Sequence, residues 1–299
     1  MMTRLLFIIL ALSPFTAATV EGGLWDKFKS VIFGEEIPTP LTIRVLIQHD
    51  VKNAMVEVKG PYNIYDPRDN SRLGTYFSNK TYPVQALSTG IKWGEAFPGV
   101  YQLHIVPDEP FTTIVVNGVE YTGSLFIYDI GGAISIINET DIEDYLQSTM
   151  AGKFSPELHE ETLAATAIAA RTQAYYLSKV QANSYWDANG SETGFQGYIP
   201  PAKDAVGRAI ASTKYMVLSN TGAYEKLITP FPVKIMAEGA GARGGNKFSI
   251  QEAEKLAERG STAAKILAKS FPDAKIELAY SPEGPQKLIP EITPPKNTK

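Results

Sequence analysis

Apolar and polar positions begin to alternate at Leu41. Leu41, Ile43, Val45 and Ile47 share one face of an extended chain, which predicts a half-buried strand. Further strand-like runs cover Ala54 to Val58, Val100 to Val106, Phe111 to Val116, Gly118 to Tyr121 and Ser124 to Tyr128. Asn117-Gly118 sits between two β-branched runs and predicts a tight hairpin. Gly131-Gly132 marks a second turn, followed by a strand from Ala133 to Ile137. At Asn138 the period changes from two to about 3.6. Thr140 is placed to cap a helix ending near Met150, and Ser155-Pro156-Glu157 to start another. The second run holds no glycine or proline and predicts one long helix over Glu157 to Gln181, whose alanines let a neighbour approach closely.

Asn183 to Pro201 predicts a loop rich in Gly, Asn and Ser. After it come a short helix near Ala202 to Ser212, strands near Tyr215 to Ser219 and Val233 to Met236, and helices near Ser249 to Arg259 and Thr262 to Ser270. Strands come first and helices second, without βαβ alternation, so the fold class is α+β. The strand-rich part is expected over 41–137 and a helical core over 138–280.

The two ends read differently. Arg4 is the only charge before Glu21, Leu5 to Leu12 is apolar throughout, and Thr16, Ala17 and Ala18 offer a cleavage site. This is the three-part pattern of a secretory signal peptide over 1–18. A buried N-terminal helix is the alternative. A linker follows over 19–40. From Ser281 the chain carries five prolines among mostly polar residues, and 281–299 is expected to be a disordered tail. No other stretch approaches 18 apolar residues, so the mature chain is expected to hold no membrane span and to lie in the periplasm or outside the cell.

Composition narrows the chemistry. The 299 residues carry 28 basic and 32 acidic side chains, a formal charge of −4, which argues against a nucleic-acid partner. With no cysteine there is no disulfide, thiolate nucleophile, thiolate-bound metal or lipoprotein anchor. His49, His104 and His159 are far apart and lack ligand spacing, so no metal site is expected. The glycines of Gly239 to Gly245 lack the Lys-Ser/Thr ending of a phosphate-binding loop.

Several motifs then occur in one order. Asn117, Gly118, Tyr121, Gly123 and Leu125 form NG-x-x-Y-x-G-x-L; Asn138, Glu143, Tyr145 and Leu146 form N-x-x-x-x-E-x-YL; Ala165, Ala167, Ile168, Ala169, Ala170, Arg171 and Thr172 form A-x-A-I-A-A-R-T. At these spacings the stretch from Val116 to Tyr176 closely resembles the SpoIID/LytB family, the stage II sporulation protein D and amidase enhancer proteins. Phe195, Gly197 and Tyr198 are similar to the family's Q-x-Y-x-G-Y loop without its glutamine. Ser249, Ala253, Leu256, Ala257 and Gly260, then Ile266, Leu267, Phe271 and Pro272, fit its closing segment. The family's late histidine is missing from ARGGNKFS.

The resemblance implies a secreted cell-wall protein that binds peptidoglycan glycan strands. It further implies a lytic transglycosylase for strands stripped of stem peptides. In that reaction one carboxyl protonates the leaving oxygen and then takes a proton from the C6 hydroxyl, which attacks C1 and closes a 1,6-anhydro ring. No cofactor is implied. The family glutamate falls at Lys153 here, which gives the alternative: a non-catalytic activator or partner of a cell-wall amidase. Lys153 reads either as a loop lysine or as a contact for a lactyl carboxylate. Glu157, Glu160 and Glu161 read as substitute acids or as acids favoured in a first helical turn. Arg171 reads as a glycan contact or as a buried ion pair with an acid such as Glu143. Phe195, Tyr198 and Trp186 read as sugar-stacking or packing rings, and Ser249 as a substrate contact.

Overall fold

The computed structural model describes residues 41–279 except 78, 181–183, 221–227 and 238–245. The expected leader, linker and tail, and the glycine cluster from Gly239, lie outside the described residues. Two large, mainly antiparallel sheets dominate the first half. The larger has the order β13-β1-β12-β11-β8-β3-β4, the smaller β10-β9-β2-β5-β6-β7. Their strands are β1 (Thr42–Val51), β2 (Asn53–Lys59), β3 (Tyr62–Asp66), β4 (Ser71–Tyr76), β5 (Tyr82–Leu87), β6 (Gly90–Trp93) and β7 (Glu95–Pro98). They continue with β8 (Gln102–Pro107), β9 (Thr113–Val116), β10 (Val119–Tyr121), β11 (Ser124–Ile130), β12 (Ala133–Asp141) and the two-residue β13 (Ala188–Asn189), which pairs parallel to β1. Five strands between 60 and 98 were not expected, because Gly60-Pro61, Pro67, Gly90 and Gly94 cut that stretch into short pieces with weak alternation.

Alternation does set the faces. Leu103 and Ile105 on β8, Leu125 and Ile127 on β11, and Ile134 and Ile136 on β12 point inward. They meet Ala54, Val56 and Val58 of β2, Val84 of β5 and Ile114 and Val116 of β9 in one apolar cluster. Full burial of each of these Val, Leu and Ile side chains stabilises the fold by roughly 1.5–3 kcal/mol. The Asn117-Gly118 turn joins β9 to β10 with both residues at positive φ, and the Asn117 side chain accepts the Met55 N–H at 2.9 Å.

The chain then gives α1 (Ile142–Ala151), α2 (Glu160–Val180), the one-turn α3 (Gly190–Thr193), α4 (Ala205–Ser212), α5 (Ile250–Ala257) and α6 (Ala263–Ser270). The stretch expected as a helical core is mixed. It also holds β14 (Met216–Asn220) antiparallel to β17 (Ala274–Leu278), and β15 (Lys234–Met236) parallel to β16 (Lys247–Ser249). Helix α2 is the long core helix. Leu163, Ala167 and Ala174 pack with Ile43, Val45 and Leu146, and Ala165, Ile168 and Ala169 pack with Leu218, Phe248 and Ile266.

Two helix starts differ from expectation. Pairing of Ile43 with Thr140 and Thr42 with Asp141 keeps β12 extended for longer, so Asp141, not Thr140, caps α1 by accepting the Glu143 N–H at 2.7 Å. Ser155 accepts the Glu157 N–H in a local turn, and α2 begins only at Glu160, where His159 Nδ1 accepts the Glu161 N–H at 3.2 Å.

Candidate functional site

Several polar residues of the motifs, Asn138, Arg171 and Thr172 among them, turn inward. Arg171 lies on α2 with its side chain fully buried. Its Nε and one terminal nitrogen each donate to a Glu143 oxygen at 2.8 Å. The remaining donors reach Ile210 O, Met216 O and Thr213 Oγ1, so all five guanidinium N–H groups are used. A glycan contact at Arg171 is therefore ruled out by geometry, and the ion pair with Glu143 is the reading that holds. Asn138 is likewise buried, and its amide donates to Thr122 O and Ser124 O, tying β12 to the start of β11.

The surface that these residues support lies where the end of α1 meets the 194–198 loop. Lys153 is exposed just past α1, its N–H bonded to Met150 O at 3.0 Å. Beside it, the Gln196 N–H donates to Ser148 Oγ at 2.9 Å, and the Gln196 amide approaches Gly152. Phe195 is half-buried, with its ring 5.7 Å from Tyr145 and 6.0 Å from Tyr121. Burial pushes the Tyr121 phenol up to about 12 and raises that of Tyr145, so both stay neutral. The Tyr198 N–H donates to Glu120 O at 2.7 Å and leaves its ring half-exposed. Gly197 has φ of 82°, and a Cβ there would come within 2.4 Å of Glu120 O, so only glycine lets the loop lie against β10. The 194–198 loop, with Phe195 and Tyr198, thus meets the end of α1 one residue before Lys153, and the two form one neighbourhood. Gln196 belongs to it as well, although its motif position gave no signal.

The expected acids are placed otherwise. Glu160 is exposed and pairs with Arg208 at 3.0 Å. Glu161 accepts the Ala263 N–H at the start of α6 at 2.6 Å. In return, Glu254 on α5 accepts the His159 N–H at the start of α2 at 3.0 Å. Glu157 is exposed in the turn before α2. Ser249 is 4% exposed and caps α5, accepting the Glu252 N–H at 3.3 Å. The substrate contact expected of Ser249 is corrected by that burial. Trp186 joins a stripe of seven rings running Tyr65–His104–Phe126–Tyr128–Tyr185–Trp186–His49, on the face of the larger sheet opposite the sandwich core. Within it His104 and Phe126 stack at 3.9 Å, and burial pushes the His104 imidazole down to about 4. His104 Nε2 lies 3.0 Å from Ser124 Oγ, which in turn donates to Glu139 at 3.1 Å. Among the described residues, no three His, Asp or Glu side chains gather as metal ligands, and no helix is long and apolar enough to cross a membrane.

Comparison with known proteins agrees with this arrangement of motifs. The family model described as Stage II sporulation protein, SpoIID, matches residues 131–220, from the β11–β12 turn to the end of β14. An uncharacterized protein of Chlamydia pneumoniae is 29% identical over 264 residues, covering 88% of this chain and 90% of that protein. One of Chlamydia muridarum is 32% identical over 242 residues, covering 80% and 78%. A third, from Brachyspira hyodysenteriae, is 32% identical over 166 residues, covering 54% and 44%. The buried Glu143–Arg171 pair, the Asn138 clip and the loop seated by Gly197 lie within the matched segment, and this chain belongs to the SpoIID family.

Proposed function

We propose that this chain acts outside the inner membrane, reached through the leader at 1–18, as a cell-wall protein that binds peptidoglycan glycan strands without cleaving them. The cell-wall role follows from the family. The non-catalytic reading rests on one observation. Lys153, where the resemblance would put the family acid, is exposed at the end of α1; of the three acids that follow it, Glu160 pairs with Arg208, Glu161 accepts the Ala263 N–H, and Glu157 is exposed in the turn before α2. A lysine in that place brings no carboxyl to donate and take back the proton, and its ammonium would put positive charge where an oxocarbenium-like state would form.

The same lysine suits binding. A glycan strand without stem peptides carries a free lactyl carboxylate on each muramic acid, and Lys153 supplies a cation for it. Tyr198 and the Gln196 amide, on the same surface, offer a ring and donors to the sugar hydroxyls. The alternative role, as activator or partner of a cell-wall amidase, uses the same non-catalytic surface.

Purified protein incubated with denuded glycan strands tests the reading. The expected result is co-sedimentation with the strands and no 1,6-anhydro products by mass spectrometry. Release of anhydro products by the wild type, abolished by Glu157→Gln with the fold intact, overturns it.

A further inference from the structure

At the opposite end of β12 from α1, a cavity of about 390 Å³ opens where the inner faces of the two large sheets end. Its walls are Leu87 at the end of β5 and Ser88 after it, Tyr101 before β8, Asp129 on β11, and the Gly131-Gly132 turn. The volume lies near the lower end of the range for ligand pockets, roughly 300–1,000 Å³. β12 has nine residues, so this mouth lies about 30 Å along the strand from Asp141 and the start of α1.

The walls are held in place. Tyr101 is 41% exposed, yet its hydroxyl donates to Ser88 O at 3.4 Å and its carbonyl accepts the Asp129 N–H at 2.9 Å. Asp129 Oδ1 accepts the Gly132 N–H at 2.9 Å, which leaves the carboxylate further acceptor capacity. Both turn glycines have positive φ, and a Cβ on either would meet nothing within 4 Å, so the turn presents bare backbone to the cavity. Leu87 adds exposed apolar surface at the rim.

We infer that this cavity is a second glycan-binding site, selective for a neutral hexosamine unit. A pyranose ring has an apolar C–H face and a rim of hydroxyls. The Tyr101 ring supplies a fixed flat wall for the first, and the Asp129 carboxylate accepts from the second. The negative charge of Asp129 disfavours a ring bearing a lactyl carboxylate and selects N-acetylglucosamine over muramic acid. Lys153 makes the reverse choice. A long strand can engage both sites, and linking two weak contacts on one strand raises the avidity above either alone. This inference rests on the glycan-binding reading given above and adds a second point of attachment.

The N-acetylglucosamine tetramer, a neutral probe without lactyl groups, reads this cavity. Calorimetric titration of the full chain is expected to show binding that weakens at least tenfold in Tyr101→Ala, in Asp129→Asn and in Leu87→Lys, each checked for fold by circular dichroism. Leu87 and Asp129 are included because Tyr101→Ala alone could loosen the sheet. Unchanged tetramer affinity in well-folded Asp129→Asn and Leu87→Lys overturns the inference. So does absence of tetramer binding by wild type that still sediments with denuded strands, in which case the glycan-binding reading stands. Tetramer binding at the cavity with no retention by strands has the reverse meaning, and failure to bind either probe removes both.

Discussion

Glu143 and Arg171 are 28 positions apart in the chain and meet in a two-pronged ion pair, 2.8 Å at each prong, with the arginine side chain wholly excluded from solvent. The pair ties α1 to α2, and through the carbonyls of Ile210 and Met216 it also ties α4 and β14. Breaking such a pair from one side leaves an uncompensated buried charge. Glu143→Ala is therefore expected to destabilise the fold by about 3–5 kcal/mol. Denaturant midpoints measure it, and a loss below about 1 kcal/mol would mean that the guanidinium finds other partners.

Glu161 and Glu254 hold each other's neighbours. One satisfies the first N–H of α6, the other the His159 N–H before α2. Loss of a side-chain acceptor at a helix start costs about 1 kcal/mol, so Glu161→Ala and Glu254→Ala should each lower stability by about that amount. Thermal unfolding of the two single variants and the double variant checks it. Gln at either position retains an acceptor and is expected to recover most of the loss.

His104 gives the fold a pH dependence of defined sign. Burial places its folded-state pKa near 4, below the ordinary value of 6.5. Between those values the unfolded chain binds more protons than the folded one, so stability is complete above about pH 6.5 and declines as the pH falls toward 4. A shift of this size corresponds to about 3 kcal/mol once fully developed. The melting temperature of wild type should therefore fall more steeply from pH 7 to 4.5 than that of His104→Gln. Parallel curves for the two proteins would contradict this.

Lys153→Glu puts a carboxyl at the position where the resemblance implies the family's proton donor. General acid–base groups contribute about 10²–10⁴-fold, so the variant is expected to release 1,6-anhydro products from denuded strands where wild type releases none. Mass spectrometry of the soluble fraction decides it. A variant that binds strands but stays silent would locate the loss of catalysis beyond this residue, with the missing late histidine as the next place to look.

Where the pattern was local, the sequence was readable. The Asn117-Gly118 hairpin, the alternating faces of β1, β8 and β11, and the alanine-rich α2 all follow from spacing alone. The burial of Arg171 was legible from its alanine-rich surroundings, and Glu143 from its place in the motif. What escaped was set by contacts across the chain. The start of α2 is held by Glu254 from α5, so Ser155-Pro156 looked like a cap and is a turn. The ring stripe exists because register places Phe126 opposite His104. Tyr101 and Asp129 share a cavity through strand pairing, and neither carries a motif that marks it.

β12 lies between β1 and β11 in the larger sheet, and it also leads directly into α1. The family-matched segment begins at residue 131, so it includes β12 but neither of the strands that flank it. Excised at that boundary, the segment would present two unpaired strand edges and bare Ile134 and Ile136 to water. In this protein the family-matched segment is thus not a portable module. Shortened versions of this protein that keep only the matched segment should aggregate.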